Sequence, residues 1–346
     1  MTAESQPIVS IIIVNWNGEQ FIHECFQTIA CQTFKEFEIV FVDNASADKS
    51  VETARKLASD LKLRLNIVKL STNTGFATGN NEGLKQCFGK YIALLNNDTV
   101  VSKDWLKSLV QAMDAHPEAG ICASLLIVAG TDIIDSAGDC LGSSLRPFKR
   151  GEGLSASLFT AGEYVFGACA GAALYRKTMI DEIGLFDDDF FLIFEDADLN
   201  FRAQLAGWKC LFVPGAIVQH KVNASIKKIS KLAAFHSVKN DKALVIKNTP
   251  WLILLKHFPL YIFEEVCFSL IYHARNGNIV SYLKANLHFL KNLPRLLRKR
   301  KRIMELRKVP TSYLSGLLVS IWPTYRKKFN ARVEALFGRQ KREREN

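Results

Sequence analysis

The chain has 346 residues, 48% of them hydrophobic, with 45 Lys+Arg against 34 Asp+Glu and a formal net charge of +11. That length holds one large α/β domain with an appendage, or two modest domains, and the apolar content excludes a disordered chain. The charge is unevenly placed: residues 251–346 carry 20 basic against 6 acidic side chains, a balance of +14, leaving 25 against 28, or −3, for residues 1–250.

The basicity therefore belongs to the tail, which is expected to meet something anionic. Eight cysteines (25, 31, 87, 122, 140, 169, 210 and 267) are scattered without a Cys-x-x-Cys pair. This fits reduced thiols in a cytosolic setting better than a disulfide framework or a zinc site. The first residues are polar and soon enter a strand, with no signal-peptide pattern.

In chain order, Pro7–Val14 is a β-branched run dense enough for a strand buried on both faces. Phe21, Cys25, Phe26 and Ile29 then recur at helical spacing. Strands are expected at Phe37–Val42, Leu65–Leu70 and Tyr91–Leu95, with helices between them. This alternation means βαβ units and a largely parallel sheet, whose ligands bind beyond the carboxyl ends of the strands. Asn15, Asp43, Asn73 and Asn96–Asp98 all fall at those ends. The first strand-to-helix turn has one glycine, Gly18, and neither Gly-x-Gly-x-x-Gly nor a P-loop follows. Nucleotide binding would have to work through side chains and a metal.

Ser102 is placed to cap a helix through Trp105, Leu106, Leu109 and Met113. Residues 119–175 read as short strands and loops, with small residues at Gly167–Ala173 allowing close backbone approach. Phe186–Arg202 mixes six carboxylates with aromatic and aliphatic residues, and Glu195, Asp196 and Asp198 open a helix ending at Gly207. A helix dipole accounts for one or two of these acids. A pocket needing a carboxylate base accounts better for acids beside Phe190, Phe191 and Phe194, where desolvation disfavours charge. Trp208–Val213 and Ala216–Val218 resemble strands ending at His220, and a helical pattern spans Ser225–Lys247.

Trp251–Tyr272 is strongly apolar but includes Lys256, His257, Pro259, Glu264 and Glu265. A charge near mid-bilayer costs roughly 2.5–3.5 kcal/mol, so an interfacial helix pair is expected rather than a span. Arg295–Arg302 places six basic residues in eight, a pattern of anionic-lipid contact. No motif of nucleic-acid recognition accompanies it.

The ordered motifs resemble a family. They are Val14-Asn15-Trp16-Asn17, Val42-Asp43-Asn44-Ala45-Ser46, Asn73-x-Gly75-Phe76-Ala77-x-Gly79-Asn80-Asn81-x-Gly83, Leu95-Asn96-Asn97-Asp98-Thr99, and Phe186-Asp187 with Phe194-Glu195-Asp196-Ala197-Asp198-Leu199. His220, with Ser225 beyond it, completes the series. Over residues 7–247 the chain resembles an inverting family 2 glycosyltransferase of GT-A fold, close to the rhamnosyltransferase-like branch.

The resemblance implies a Rossmann-like nucleotide-sugar domain with a largely parallel central sheet over residues 1–250. Beyond the resemblance, the tail's charge and apolar stretch lead to the expectation of a helical, basic, membrane-associating region over 251–346. Asn15, Asn17, Asp43, Asn73, Gly75, Asn80, Asn81 and Asn97 would bind the nucleotide sugar. Asp98, with His220 and Asn96, would hold Mn2+ or Mg2+, and Asp196 would be the general base with Glu195 its neighbour. Asn96 stands where the family's metal motif usually has Asp, and Asn80 where many members carry Arg.

The donor implied is dTDP-rhamnose or a UDP-hexose, and the acceptor a lipid-linked cell-surface glycan at the cytoplasmic membrane face. A sugar-1-phosphate nucleotidyltransferase and a non-catalytic membrane adaptor are the rival readings. The first lacks its Gly-rich basic loop after Asn15; the second leaves Asp98, Asp196 and His220 without a purpose.

Overall fold

The structure, a computed structural model, describes residues 6–221 and 230–321. Ser225 and the tail beyond residue 321 lie outside the described residues. The first half alternates as its pattern requires: β1 (Val9–Asn15), α1 (Glu19–Ala30), β2 (Phe37–Asp43), α2 (Ser50–Asp60), β3 (Leu65–Lys69), α3 (Gly75–Leu84) and β4 (Tyr91–Leu95). Then come β5 (Thr99–Val101), α4 (Trp105–Ala115), β6 (Ala119–Val128), β7 (Ile134–Ser136), β8 (Asp139–Gly142), β9 (Pro147–Lys149), β10 (Glu163–Val165), β11 (Ala172–Arg176), α5 (Lys177–Ile183), α6 (Glu195–Leu205) and β12 (Lys209–His220).

Among the described residues the main sheet runs β10-β12-β6-β11-β4-β1-β2-β3. β1, β2, β3 and β4 are mutually parallel, as are β6 and β12, while β11 runs antiparallel between β4 and β6. The register Asn15↔Asp43 ends β1 and β2 together. The order turns at β1, whose neighbours β2 and β4 splay helices to opposite faces and open a crevice at their carboxyl ends. One face buries Phe26, Trp105, Leu109 and Met113 of α1 and α4 against Ile11, Ile13 and Leu174. The other buries Met179, Leu199 and Ala203 of α5 and α6 against Ile12, Leu94 and Phe212.

Two local expectations are corrected. Trp208–Val213 and Ala216–Val218 are one strand, β12, whose register shifts between Val213 and Ile217. Pro214 and Gly215 at that shift interrupt pairing without ending the strand. Ser102 does not cap α4: the helix follows Asp104, no side chain caps it, and the Ser102 hydroxyl has no partner among the described residues.

The C-terminal part holds α7 (Ser230–Asn248), α8 (Trp251–Glu264), a π-helical turn over Glu265–Leu270, α9 (Ile271–Arg275), α10 (Ile279–Glu305), α11 (Thr311–Gly316) and β13 (Leu318–Val319). It shares a core with the body, where Leu141, Phe166, Phe201 and Leu205 pack with Val245, Ile253, Tyr261 and Ile303. β13 pairs with β8 in a small sheet with β9. The basic run divides by face. Arg295, itself exposed, and half-buried Lys299 pair with Asp189, and Arg300 stacks 3.9 Å over Trp251 and donates to the Ile246 carbonyl; Arg298, Lys301 and Arg302 are exposed. Part of the tail's charge thus neutralises the acidic stretch after Phe186.

Candidate active site

The carboxyl ends of β1, β2 and β4 open into a cavity of about 470 Å³. Its floor is a network of amides. Asn15, buried at the end of β1, accepts from Asn97 Nδ2 (2.5 Å) and donates to Ser46 (3.2 Å). Gly18 makes this possible, since a Cβ there would lie 2.2 Å from Asn97 and 2.5 Å from Asn15. Asn44 fixes the next loop: its Oδ1 accepts from the Thr74 amide and its Nδ2 donates to the Gly75 carbonyl. Gly75 has φ +84°, and a Cβ would strike Phe191 at 2.5 Å, so only glycine fits.

Asn73, Gly75, Asn96, Asn97, Asp98, Glu195, Asp196 and His220 all line the cavity. Asn15, Asn17, Asp43, Asn80 and Asn81 do not line it. Asp43 accepts from the Ser46 amide and Asn17 from the Ala47 amide. Asn80 bonds back to Phe76, while Asn81 exchanges hydrogen bonds with the Phe186 backbone. These last two brace the loops that carry the lining residues.

β12 pairs antiparallel with β5, His220 opposite Thr99, so the imidazole faces the turn holding Asp98. His220 Nε2 lies 3.4 Å from Asp98 Oδ1, and Nδ1 lies 2.9 Å from Asp135 Oδ2. Burial opposes a charge on the ring, but hydrogen bonds with Asp135 and Asp98 outweigh it and raise its pKa to about 9. Asp135, on β7, also binds Lys149 Nζ at 2.6 Å. Once its Nε2 proton is displaced, a histidine oriented by one carboxylate and aimed beside another can present imidazole to a divalent ion. This oxygen-and-nitrogen donor set suits Mn2+ or Mg2+, which commonly take only one or two protein carboxylates and complete their shell from phosphate and water. Among the described residues no group of three or more His, Cys, Asp or Glu side chains is placed to hold a metal ion.

Glu195 and Asp196 open α6. Asp196 lines the cavity and accepts from the Ala170 (3.3 Å) and Ala197 (2.8 Å) amides. Burial raises both pKa values, that of Glu195 to about 8 with the Asp196 charge adding to it; the amide bonds oppose the rise at Asp196. Glu195 Oε2 has no partner among the described residues. Burial and the neighbouring Asp196 charge therefore hold the Glu195 proton, while the two amide bonds favour the charged form of Asp196. Asp198 is fully buried between Arg202 (2.9 Å), Lys247 (2.9 Å) and Asn248 (2.8 Å), so ion pairing, more than the helix dipole, explains it.

The Glu195 carboxyl holds its proton more tightly folded than unfolded. It favours the fold fully below the unfolded value near 4.5, and that contribution is lost as pH rises through about 8. Glu195→Gln should accordingly raise the melting temperature relative to wild type at about pH 9 and leave it unchanged at about pH 4. Scanning calorimetry at both pH values checks this.

Sequence reading missed Asp135, Asp139, Lys149 and Asn44. Asp139 and Lys149 line the cavity from β8 and β9, in the segment whose elements had no periodic signal.

The family whose description is "Glycosyl transferase family 2" matches residues 10–184. An uncharacterized glycosyltransferase of Haemophilus influenzae is 22% identical over 291 residues, covering 80% of this chain and 84% of that protein. Among solved structures, the mannosyltransferase PcManGT of Pyrobaculum calidifontis, in complex with GDP-Man and Mn2+, has TM-score 0.55 at 16% identity. The superposition covers 88% of this chain and 86% of that one. GalNAc-T7 with UDP, GalNAc and Mn2+ has TM-score 0.57 at 17% identity, over 70% of this chain and 48% of that one. The fold is GT-A.

Proposed function

The chain belongs to glycosyl transferase family 2, and from this premise we propose that it is an inverting enzyme of the rhamnosyltransferase-like branch. It moves a sugar from dTDP-rhamnose or a UDP-hexose to a hydroxyl of a lipid-linked cell-surface glycan. The observation that carries the reading is one cavity lined both by the Asp98–His220 pair and by buried Glu195 with half-buried Asp196. Two structural neighbours were solved with nucleotides and Mn2+, which supports a nucleotide sugar and a divalent ion here.

Asp98 and His220 would hold Mn2+ or Mg2+, with Asn96 beside them, and Asp135 would keep His220 Nε2 aimed at the site. When bound, the ion stabilises negative charge developing on the diphosphate. Asn15, Asn17, Asp43, Asn73, Gly75, Asn80, Asn81 and Asn97 form or brace the nucleotide side. Lys149 adds a positive charge to the cavity, where Asn80 supplies none. Asp196 takes the proton of the acceptor hydroxyl as it attacks the anomeric carbon opposite the leaving group. A single displacement inverts the configuration and needs no enzyme nucleophile. A thermal-shift screen of nucleotide sugars with and without manganese tests the reading. Stabilisation by a nucleoside-diphosphate sugar, larger with manganese, is expected; no response to any of them would reject it.

Residues 1–250 would be the catalytic unit and 251–346 a peripheral membrane-associating region at the cytoplasmic face. Leu252 and Leu255 are 72% and 70% exposed, and Leu283, Leu287 and Leu290 are exposed as well. Among the described residues no helix is long and apolar enough to cross a membrane. An exposed apolar helix face beside exposed Arg298, Lys301 and Arg302 suits an anionic interface. Reversing those three charges, leaving Lys299 and Arg300 intact, should weaken binding to phosphatidylglycerol vesicles, most at low salt. Cosedimentation unchanged by the reversal and by Leu252→Ser with Leu255→Ser would remove the membrane proposal.

A further inference from the structure

The loop that delivers Asp196 is strained. Phe191, Ile193 and Phe194, immediately before α6, have φ of 62°, 67° and 70°. Left-handed backbone is unfavourable at bulky residues and persists only where surrounding contacts impose it. Here much of the restraint comes from the C-terminal helices. Asn240 of α7, 1% exposed, turns its Nδ2 to three carbonyls at once: Phe190 (2.9 Å), Leu192 (2.8 Å) and Ile193 (2.7 Å). Its Oδ1 has no partner among the described residues, so those carbonyls alone set the amide's orientation. Lys239 donates to the Asp189 carbonyl (2.6 Å), and the Phe191 ring stacks on His236 at 5.0 Å. From α10, Lys299 pairs with Asp187 and Asp189. The loop's inner side is fixed by the Phe191 carbonyl, which accepts from the Ala77 amide at 3.1 Å.

We propose that Asn240 is a positioning residue for Asp196. It gathers the carbonyls of the left-handed loop so that α6 starts at Glu195 with Asp196 in the cavity, and Lys299 latches the same loop from outside. The inference rests on the reading of Asp196 as base. It makes α7 and α10 part of the acceptor side of the active site as well as the support of the apolar face.

The test uses the full chain with Asn240→Ala and Lys299→Gln. Misplacing a catalytic group by about 1 Å costs roughly 10²-fold in rate, so kcat for transfer should fall by about that factor in Asn240→Ala and less in Lys299→Gln. Donor KM and the affinity for UDP with manganese should stay within about twofold, because Asp98, His220 and Asn97 lie on strands and turns outside the loop. Hydrogen exchange should quicken over residues 188–197 and not over 91–98. Unchanged kcat overturns the proposal, as does a rise in donor KM matching the loss in kcat, which would mean general loss of structure. Should Asn240→Ala fail to fold, Lys299→Gln, at a partly exposed position, decides by the same criteria. Asp196→Asn in the same assay separates the two claims. Full activity there removes the base assignment. Loss there, with full activity in Asn240→Ala and Lys299→Gln, removes the positioning role alone.

Discussion

Asp196→Asn is expected to lower sugar transfer by roughly 10²–10⁴, the usual effect of losing a general base. Asparagine keeps the shape and can still accept from the Ala170 and Ala197 amides, so the start of α6 should survive. Donor affinity should be nearly normal, since the residues proposed to bind the nucleotide, among them Asn97, Asn73 and Asp98, lie on other turns. Glu195 is poorly placed to substitute: it is buried, its proton is held up to about 8, and adjacent helix side chains diverge by about 100°. Asp198→Asn is the contrasting variant. It removes a charge from between Arg202 and Lys247, and breaking a buried pair costs roughly 3–5 kcal/mol. Stability should therefore fall in Asp198→Asn and catalysis in Asp196→Asn. Melting temperature and kcat, measured on both variants, separate the two roles.

The second large effect concerns Asp98. Asp98→Ala should abolish the manganese-dependent part of nucleoside-diphosphate binding, because it removes the carboxylate facing His220 Nε2. Asp135→Asn should be intermediate, near the roughly 10–100-fold loss of metal affinity typical when an orienting partner of a ligand histidine is removed. Calorimetric titration of UDP and dTDP, with and without manganese, reads both variants directly. An Asp98→Ala protein with the wild-type manganese dependence would remove the metal assignment.

Much of the fold was legible because β1, β2 and β4 are apolar enough to be read as buried parallel strands, and polar residues mark their carboxyl ends. Asp98 and His220 were readable in the sequence as candidate ligands of one metal, but the contact that joins them was not. They are 122 positions apart, and it is the β5–β12 register that brings them together. Asp135 could not be found: it sits in a three-residue strand, and nothing in Ile134-Asp135-Ser136 separates a histidine-orienting carboxylate from a surface acid. The basic run at Arg295–Arg302 was legible as charge but not as faces. Pairing of Arg295 and Lys299 with Asp189 depends on α10 lying against the loop before α6, a tertiary fact with no local signature. Gly18 was noted for what it is not, a phosphate cradle. Its role, making room for the Asn15–Asn97 bond, is visible only from the partner's side.

In the proposed reaction, a single displacement, Asp196 activates the acceptor and no side chain bonds to the sugar. The anomeric configuration of the product, read by NMR from a reaction using the donor found in the thermal-shift screen, tests it most directly. Configuration opposite to the donor's, with one nucleoside diphosphate released per sugar transferred, is the expected result. A product that retains the donor's configuration would contradict it.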